Sequence, residues 1–351
     1  MKRAKPRKTL SKTVDLLALA DIVERFEGKR VVILGDFVAD YFQYGEITRV
    51  SREAPVLILR HRETRILPGG AANAANNLLA LGARVLPVTA VGDDAAGDSL
   101  IESFREKKVD VSGILRAKDH LTPVKTRFLA GWTHTVGQQV LRVDYEPQTP
   151  LAAAGRNEID RLLRARLKNA DALAISDYGF GVVTPETARR VAGKKSKYVI
   201  TLDSRYDLSS YRNAGVSAAT PNEAEMEALH HTTIGRNVVE LERCGRSTLN
   251  NLKLSSLVVT RGKDGMALFQ AGRGVVHIPV HGSDQAVDVT GAGDTVLAAY
   301  TLGLASGASP LEAAHIANIA GGLVVMKRGT ATVSRSELLE EIHKAASGVP
   351  S

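Results

Sequence analysis

The sequence contains a single cysteine, Cys244, among its 351 residues. One thiol cannot form an intrachain disulfide or a cysteine-cluster metal site, so neither is expected here. No apolar run reaches the roughly 18 residues of a membrane-spanning helix. The basic start is followed only by the short apolar stretch 16–20 and then by Asp21 and Glu24, which is unlike a signal peptide. These absences predict a cytoplasmic protein without a membrane partner.

Several familiar nucleotide-binding motifs are also missing. The sequence has no G-x-x-x-x-G-K-[ST], which argues against a P-loop NTPase. It lacks the G-x-G-x-x-G, H-R-D and D-F-G set of protein kinases. No G-x-G-x-x-G follows the first predicted strand, which disfavours a dinucleotide-binding dehydrogenase. His230 and His231 are adjacent, a spacing more typical of a surface turn than of a zinc helix.

Acidic residues are absent from the first twelve positions, which hold six basic ones: Lys2, Arg3, Lys5, Arg7, Lys8 and Lys12. The formal net charge is +8, and it falls to +2 without these six, so the body of the chain is nearly neutral. No aromatic residue interleaves these charges, as base stacking would require. We therefore expect residues 1–28 to form a solvated basic tail and an N-terminal helix, and we expect no nucleic-acid partner.

Alternating strand and helix patterns fill residues 29–346. Such βα alternation predicts one α/β domain with a mostly parallel central sheet and helices on both faces, followed by a short tail at 347–351. Two segments, about 41–67 and 120–143, are instead rich in β-forming residues and predict a small β-lid made by two insertions. The predicted strands are 30–34, 85–91, 172–176, 198–202, 216–219, 257–260, 266–269 and 275–279; the later predicted helices are 155–168, 184–193, 235–252, 310–326 and 334–346, with one from about residue 295 after a strand-like lead-in at 285–289.

Residues 288–294, Asp-Val-Thr-Gly-Ala-Gly-Asp, carry the most suggestive chemistry. Gly291 and Gly293 lack a Cβ atom, so their backbone N–H groups can come close to a ligand. They precede a predicted helix, whose start attracts anions through its free N–H donors. Asp294 either favours the first helical turn or acts as a general base beside a nest for a phosphoryl group. These residues alone leave the two alternatives evenly balanced.

This motif resembles the C-terminal signature of the ribokinase-like, or pfkB, family of sugar kinases. The resemblance implies a ribokinase-like fold, with ATP and Mg²⁺ as cofactors. It also implies that Asp294 takes the proton from the sugar hydroxyl, while the backbone of Gly291, Ala292 and Gly293 stabilises the transferring phosphoryl group.

The resemblance extends over about residues 30–346 and implies a sugar site. Residues 68–73 look like the family's N-terminal signature, in which Gly69, Gly70 and Asn73 touch the sugar. Asp36 and Asp40 match strand-end carboxylates that bind sugar hydroxyls. Considered without the family, an Asp after a strand is often a turn former, and Asn is a common helix cap.

A nucleotide site is implied in the same way. In the segment 220–225, Asn222 would meet the nucleotide phosphates and Glu225 would help to hold Mg²⁺ through water. Thr260, Gly262 and Gly265 lie where the family's nucleotide loop runs. Asp288 and Thr290 match positions that surround an activating monovalent cation, such as K⁺, in many relatives.

Longer segments at 48–56, 121–127, 176–185 and 329–334 resemble the heptose 7-phosphate kinase branch, which includes the kinase half of bifunctional ADP-heptose synthases. That resemblance implies phosphorylation of the anomeric hydroxyl of D-glycero-D-manno-heptose 7-phosphate. Phe180 departs from the branch, which usually has Lys there. We expect no nucleotidyltransferase half after residue 346, so any adenylylation would belong to another chain.

A sugar phosphate needs a cationic clamp of its own, and the two lid segments hold Arg49, Arg52, Lys125 and Arg127. Arg is suited to bidentate phosphate contact, although charges on exposed strand edges also prevent aggregation. A kinase for an unphosphorylated sugar or nucleoside, and a non-catalytic sugar or nucleotide sensor, remain alternatives. A lid with exposed edges predicts a homodimer through the lid.

Overall fold

The computed structural model describes residues 14–131, 138–192, 197–283 and 285–348. The basic positions 2–12 and residues 349–351 lie outside these ranges, so the predicted tails remain predictions. None of the helices in the described ranges is long and apolar enough to cross a bilayer.

The described elements, numbered in chain order, alternate through most of the chain. They are α1 (Leu16–Glu24), β1 (Arg30–Gly35), β2 (Phe37–Val50), β3 (Leu57–Gly70), α2 (Ala71–Ala80), β4 (Arg84–Gly92), α3 (Ala95–Glu106), β5 (Ile114–Ala117), β6 (Val124–Gly131), β7 (Gln138–Tyr145), α4 (Ala153–Leu167), β8 (Ala172–Asp177), α5 (Pro185–Val191), β9 (Val199–Ser204), β10 (Ala218–Ala219), α6 (Glu223–His230), α7 (Val238–Leu252), β11 (Ser256–Thr260), β12 (Met266–Gln270), β13 (Val276–Ile278), α8 (Ala292–Ala305), α9 (Pro310–Val324) and α10 (Arg335–Ala346).

Nine strands form the central sheet in the order β13-β12-β11-β10-β9-β8-β1-β4-β5. Among the described strands, the pairs from β5 to β11 are parallel, and β12 pairs antiparallel with both β11 and β13. Alternate residues of β1 face opposite sides: Val31 and Ile33 join a core with α1, α2, α8 and α9, whereas Val32 and Leu34 join a core with α4 and α7. The predicted mostly parallel sheet with helices on both faces is confirmed, and burial on both faces explains its continuous apolar strands.

The lid is a separate four-stranded sheet in the order β3-β2-β6-β7. Strand β2 pairs antiparallel with β3 and parallel with β6, and β6 pairs antiparallel with β7. The two insertions therefore join into one lid, as predicted.

The structure corrects two local predictions and adds one helix. Residues 285 and 287–289 are bends and coil instead of a strand, because the N–H groups of Val287 and Asp288 donate to the carbonyl of Val325. Helix α8 begins at Ala292, earlier than residue 295. Helix α6 was not predicted; Asn222 and Glu225 form a capping box at its start.

Candidate active site

A cleft of about 280 Å³ lies at the carboxyl ends of the parallel strands. The ends of parallel strands meet at one edge of a sheet, where ligands of α/β proteins gather. The start of α8 and the lid base reach the same edge. The cleft is lined by Asp177, Tyr178, Asp203, Arg205, Thr220, Asn222, Glu225, Thr260, Val289, Gly291, Gly293 and Asp294.

Asp294 is buried in the first turn of α8 and lines this cleft. The Asn73 amide nitrogen donates to its Oδ2 at 2.7 Å, and the Tyr178 hydroxyl donates to its Oδ1 at 3.1 Å. The N-cap of α8 is Gly291, and no side chain caps that end, so Asp294 is not a helix cap. Burial raises the pKa of Asp294 to about 7, although the two hydrogen bonds oppose the rise. A carboxyl that titrates near neutral pH is suited to general base catalysis.

The two glycines of the nest are required for different reasons. Gly291 has φ +77°, and a Cβ atom there would overlap the Asn73 amide nitrogen. Gly293 is exposed and helical, and a Cβ atom there would have Asp203 Oδ2 at 4.0 Å as its nearest neighbour. The fold therefore needs glycine at 291, whereas glycine at 293 leaves the backbone open to the cleft.

Two acidic residues, Asp203 and Glu225, line the same cleft as the nest formed by residues 291–293. Burial, and repulsion from Glu225, Asp294 and Asp177, raise the pKa of Asp203 well above its usual range. Burial also raises the pKa of Glu225. Such groups are stabilised by a cation that enters the cleft. Within the described ranges, no three His, Cys, Asp or Glu side chains converge closely enough to hold a metal ion directly.

Asn222 and Glu225 bind each other at the start of α6. Glu225 N–H donates to Asn222 Oδ1 at 2.8 Å, and Asn222 N–H donates to Glu225 Oε2 at 2.9 Å. Glu225 Oε1 and the Asn222 amide nitrogen are outside this box, and both residues line the cleft. The structure thus brings the predicted phosphate and metal residues to the nest.

An apolar pocket of about 170 Å³ adjoins the cleft. It contains the predicted nucleotide residues Thr260, Gly262 and Gly265, and it shares Thr260, Val289 and Gly293 with the cleft. Gly265 has φ +76°, and a side chain there would overlap the Ile278 carbonyl. A flat apolar group attached to a polyphosphate would fit the pocket and cleft together.

The lid base supplies the other side of the site. Asp40 is buried and accepts a hydrogen bond from Arg127 Nη1, forming a buried ion pair. Gly69 makes room for this carboxylate, because a Cβ atom at 69 would overlap Asp40 Oδ2. Lys125 Nζ lies 5.1 Å from the ring centroid of Tyr178 and 5.9 Å from that of Phe180. Phe180, the departure from the heptose kinase pattern, therefore gives an aromatic contact to a cation.

Asp36 has a different setting from Asp40. Its carboxyl is buried and accepts N–H donors from Tyr178 at 2.9 Å, Phe180 at 3.2 Å and Val182 at 3.1 Å. Burial, with repulsion from Asp177, raises the pKa of Asp36 to about 7. Asp36 thus holds the loop after β8, and its contact with a sugar hydroxyl remains a prediction.

Two further sugar-site predictions have a structural setting. Gly70 precedes α2 with φ +56°, and a Cβ atom there would lie 2.8 Å from the Asp36 carbonyl oxygen. Asn73 is fully buried and directs its amide nitrogen at Asp294. Asn73 therefore contacts the candidate base, which its sequence did not reveal.

The four predicted clamp cations are not brought together in one chain. The register pairs Asp40 with Lys125, at the lid base, whereas Arg49 pairs with Ile58 beyond the end of β6. At about 3.3 Å per residue, Arg49 lies about 30 Å along β2 from Asp40. Arg52 follows in the exposed turn after β2. A single-chain clamp that contains Arg49 and Arg52 is therefore wrong.

Asp288 connects two loops. Its carboxyl oxygens accept N–H donors from Thr290 and Gly329, both at 2.9 Å. Next to Gly329, the buried hydroxyl of Thr330 has no hydrogen-bond partner in the described part of the chain. The monovalent cation predicted at Asp288 and Thr290 remains a prediction.

The predicted site residues leave out six that line the cleft: Asp177, Tyr178, Asp203, Arg205, Thr220 and Val289. Asp177, Asp203 and Thr220 directly follow predicted strands. The rule used for Asp36 and Asp40 could therefore have found the two carboxylates. The position of Tyr178 against Asp294 depends on the loop that Asp36 holds, and no local signal predicts it.

Comparisons with known proteins identify a family and a fold for this chain. A model of the pfkB family of carbohydrate kinases matches residues 29–337. Bifunctional protein HldE of Geobacter metallireducens is 39% identical over 311 residues, which cover 88% of this chain and 62% of that protein. Phosphofructokinase-2 from Escherichia coli in complex with potassium has a TM-score of 0.73 at 20% identity, covering 91% of this chain and 99% of that one. Ribokinase from Arabidopsis thaliana, complexed with ribose and ATP, has a TM-score of 0.67 at 20% identity, covering 90% and 99%. The structural likeness concerns the fold alone.

Proposed function

The chain belongs to the pfkB family of carbohydrate kinases, and we propose that it transfers the γ-phosphoryl group of ATP to the anomeric hydroxyl of D-glycero-D-manno-heptose 7-phosphate. The product would be heptose 1,7-bisphosphate, a precursor on the way to ADP-heptose. The chain spans 62% of the length of the HldE relative from Geobacter metallireducens, so the second activity of a bifunctional protein is not part of the proposal.

The observation that carries the proposal is the setting of Asp294. Its carboxyl lies between the N–H groups that start α8 and the lid base, and both of its oxygens accept hydrogen bonds from side chains. A buried base beside an anion hole is what phosphoryl transfer to an alcohol requires. The four segments that resemble heptose kinases, and the 39% identity to HldE, favour the heptose substrate.

The site residues would have the following roles in phosphoryl transfer. Asp294 orients the anomeric hydroxyl and takes its proton as oxygen attacks the γ-phosphorus. The N–H groups of Gly291, Ala292 and Gly293 stabilise the charge on the transferring phosphoryl group. The apolar pocket with Thr260, Gly262 and Gly265 holds the base of the nucleotide, and Asn222 meets its phosphates.

Mg²⁺ and a monovalent cation fit the residues present. Glu225, with Asp203 beside it, would hold Mg²⁺ through water, since the raised pKa values of both carboxyls reflect a need for positive charge. Bound Mg²⁺ would neutralise charge on the phosphates. Asp288 and Thr290, which are joined by a hydrogen bond, would hold K⁺.

The phosphate already on the sugar would meet Lys125. Its ammonium group makes no ion pair within the described ranges and lies against Tyr178 and Phe180 at the cleft. Arg127 is bound to Asp40. It would help to bind the sugar phosphate while it holds the Asp40 carboxylate against the sugar hydroxyls. Asp36, Gly69 and Gly70 would shape the same side of the site.

A homodimer through the lid is part of the proposal. Apolar side chains of the lid strands are exposed, namely Leu57, Ile66, Val140, Leu141 and Tyr145. A second copy packed there would cover them, and it is also the route by which Arg49 and Arg52 could meet a sugar phosphate. Sedimentation as a monomer at all micromolar concentrations would contradict this assembly.

A coupled assay of ADP release across a panel of sugars, sugar phosphates and nucleosides tests the function. We expect the highest kcat/KM with heptose 7-phosphate and dependence on Mg²⁺. Turnover only with unphosphorylated sugars or nucleosides would favour the alternative kinase, and ligand binding without ADP release would favour a sensor.

A further inference from the structure

A chain of buried side-chain hydrogen bonds ends at Asp294. The Thr295 hydroxyl donates to Asn77 Oδ1 at 2.8 Å, and Asn77 Nδ2 donates to the Asn73 carbonyl at 3.0 Å and to Asn73 Oδ1 at 3.4 Å. Asn73 Nδ2 then donates to Asp294 Oδ2 at 2.7 Å. Thr295, Asn77 and Asn73 are fully buried. These hydrogen bonds join α2 to α8: they begin at Thr295 and end at the preceding residue, Asp294.

Every donor in this chain points towards the carboxylate. An Asn side chain has one donor end and one acceptor end, so a neighbour decides which way it faces. Thr295 occupies the oxygen of Asn77, which turns the Asn77 nitrogen towards Asn73. Asn77 in turn occupies the oxygen of Asn73 and directs its nitrogen at Asp294. Without the Thr295 hydroxyl, the Asn77 oxygen would lose its donor, and the Asn77 amide would be held only through its nitrogen, at Asn73. Hydrogen bonds aligned in one direction also polarise one another.

Tyr178 holds the opposite oxygen of Asp294. Its hydroxyl donates to Oδ1 at 3.1 Å, and its ring lies 5.1 Å from Lys125 Nζ and 6.0 Å from the guanidinium carbon of Arg205. The two cations and the loop held by Asp36 restrict the ring. Both oxygens are therefore held from different elements, which fixes the carboxyl plane.

We infer that Thr295 and Asn77, which do not line the cleft, act with Tyr178 as positioning residues that orient Asp294 and keep it ionised as the base. This inference rests on the proposed function, in which Asp294 accepts the proton of the sugar hydroxyl. Each donated hydrogen bond stabilises the ionised carboxylate over the neutral acid, so removing a donor lowers the fraction of base at a given pH.

Other charges facing Asp294 are the same in every variant considered. They are Asp40 on β2, Lys125 on β6, Asp203 on β9, Arg205 after β9, Asp177 at the end of β8 and Glu225 on α6. Differences between variants therefore report the hydrogen bonds to Asp294.

Tyr178→Phe and Thr295→Val test the inference, because each removes one hydroxyl with little change of shape. The matched control is Thr301→Val, which removes a buried hydroxyl on the same helix that binds Thr201 and the Leu297 carbonyl. We expect the acidic limb of the kcat/KM profile to move up by about one pH unit in both test variants, a loss of about tenfold at low pH, with KM for ATP within about threefold. In Thr301→Val the limb should not move. The inference would be overturned if the acidic limb of the kcat/KM profile stayed in place in both test variants, or if it moved equally in Thr301→Val.

A measurement without turnover separates this inference from the proposed function. The Asp294 carboxyl carbon can be followed by NMR in aspartate-labelled protein and assigned by its absence in Asp294→Asn. Its pKa should rise in Tyr178→Phe and Thr295→Val and stay constant in Thr301→Val. If no sugar substrate is turned over, the proposed function fails. The titration would still decide whether these hydrogen bonds change the pKa of Asp294. An unchanged pKa in Tyr178→Phe, the variant furthest from the packed core, would refute the inference even if Thr295→Val does not fold.

Discussion

Alanine substitutions at the two nest glycines should separate stability from catalysis. At Gly293 the backbone is helical and a Cβ atom would have no protein neighbour closer than 4.0 Å. Replacing Gly by Ala within a helix stabilises by up to about 1 kcal/mol. For a chain of this length that gain raises Tm by about 1 °C. Activity should nevertheless fall about 10²-fold in kcat, since the added methyl group lies where the phosphoryl group must meet the N–H donors.

Gly291→Ala is the matched comparison. There φ is +77° and the new Cβ atom would overlap the Asn73 amide. Left-handed backbone costs about 1–2 kcal/mol in an L-residue, and overpacking costs about 1–3 kcal/mol more. We therefore expect Gly291→Ala to lose both stability and activity, whereas Gly293→Ala loses activity alone.

Thermal unfolding and the ADP-release assay, run on the same preparations, check this pair. Isothermal titration with a nonhydrolysable ATP analogue adds the affinity for the nucleotide. A Gly293→Ala protein with normal kcat and normal affinity would refute the idea that a ligand explains the glycine at 293. A Gly293→Ala protein that is destabilised as much as Gly291→Ala would refute the conclusion that a Cβ atom at position 293 fits without a clash.

Three further predictions follow from the same site. Asp294→Asn should abolish turnover while nucleotide affinity, measured by titration, stays within a few fold; a mutant with near-native kcat would remove Asp294 from the role of base. Because burial raises the pKa of Asp294 to about 7 and a base must be deprotonated, kcat/KM of the free enzyme should rise with pH through about 7, and a limb near pH 4 would contradict the raised pKa. Lys125→Ala should raise KM for a sugar phosphate at least tenfold with KM for ATP unchanged, whereas the control Arg62→Ala, on an exposed part of the lid, should leave both unchanged; an unchanged KM in Lys125→Ala would favour an unphosphorylated substrate.

Most of the fold could be predicted because its strands are short apolar runs between helical patterns. Burial on both sheet faces makes β1 and β8 continuously apolar, and this is visible without any tertiary information. The prediction failed where long-range hydrogen bonds decide the conformation. Residues 287 and 288 look like a strand, but they bind the end of α9. Asn222 and Glu225 carried a capping-box pattern that would have predicted α6.

The candidate site was predicted less completely, because contacts between distant segments define it. Gly69 was expected to touch the sugar, and its observed role is to admit the Asp40 carboxylate. The lid was predicted as a unit, but residue type alone could not say that β6 pairs with the first half of β2 only. That register is what separates Lys125 from Arg49.

Asp36, Asp40 and Asp294 are the same residue type, but the structure gives each of them different hydrogen-bond partners. Asp36 accepts backbone N–H groups of one loop, so its charge maintains local geometry. Asp40 accepts from Arg127; burial raises the pKa of Asp40, and the adjacent guanidinium opposes that rise. Among the described residues, the Asp294 carboxyl accepts only from two side chains: Asn73, which belongs to the buried series of hydrogen bonds, and Tyr178, which lies in the loop that Asp36 holds. A carboxyl whose partners are neutral and whose pKa is near 7 can both take up and release a proton, whereas a carboxylate held by a guanidinium cannot do so easily. Asp36 also has neutral partners and a pKa raised to about 7, but Asp294 lines the cleft and Asp36 does not. The proton transfer that we propose is therefore assigned to Asp294.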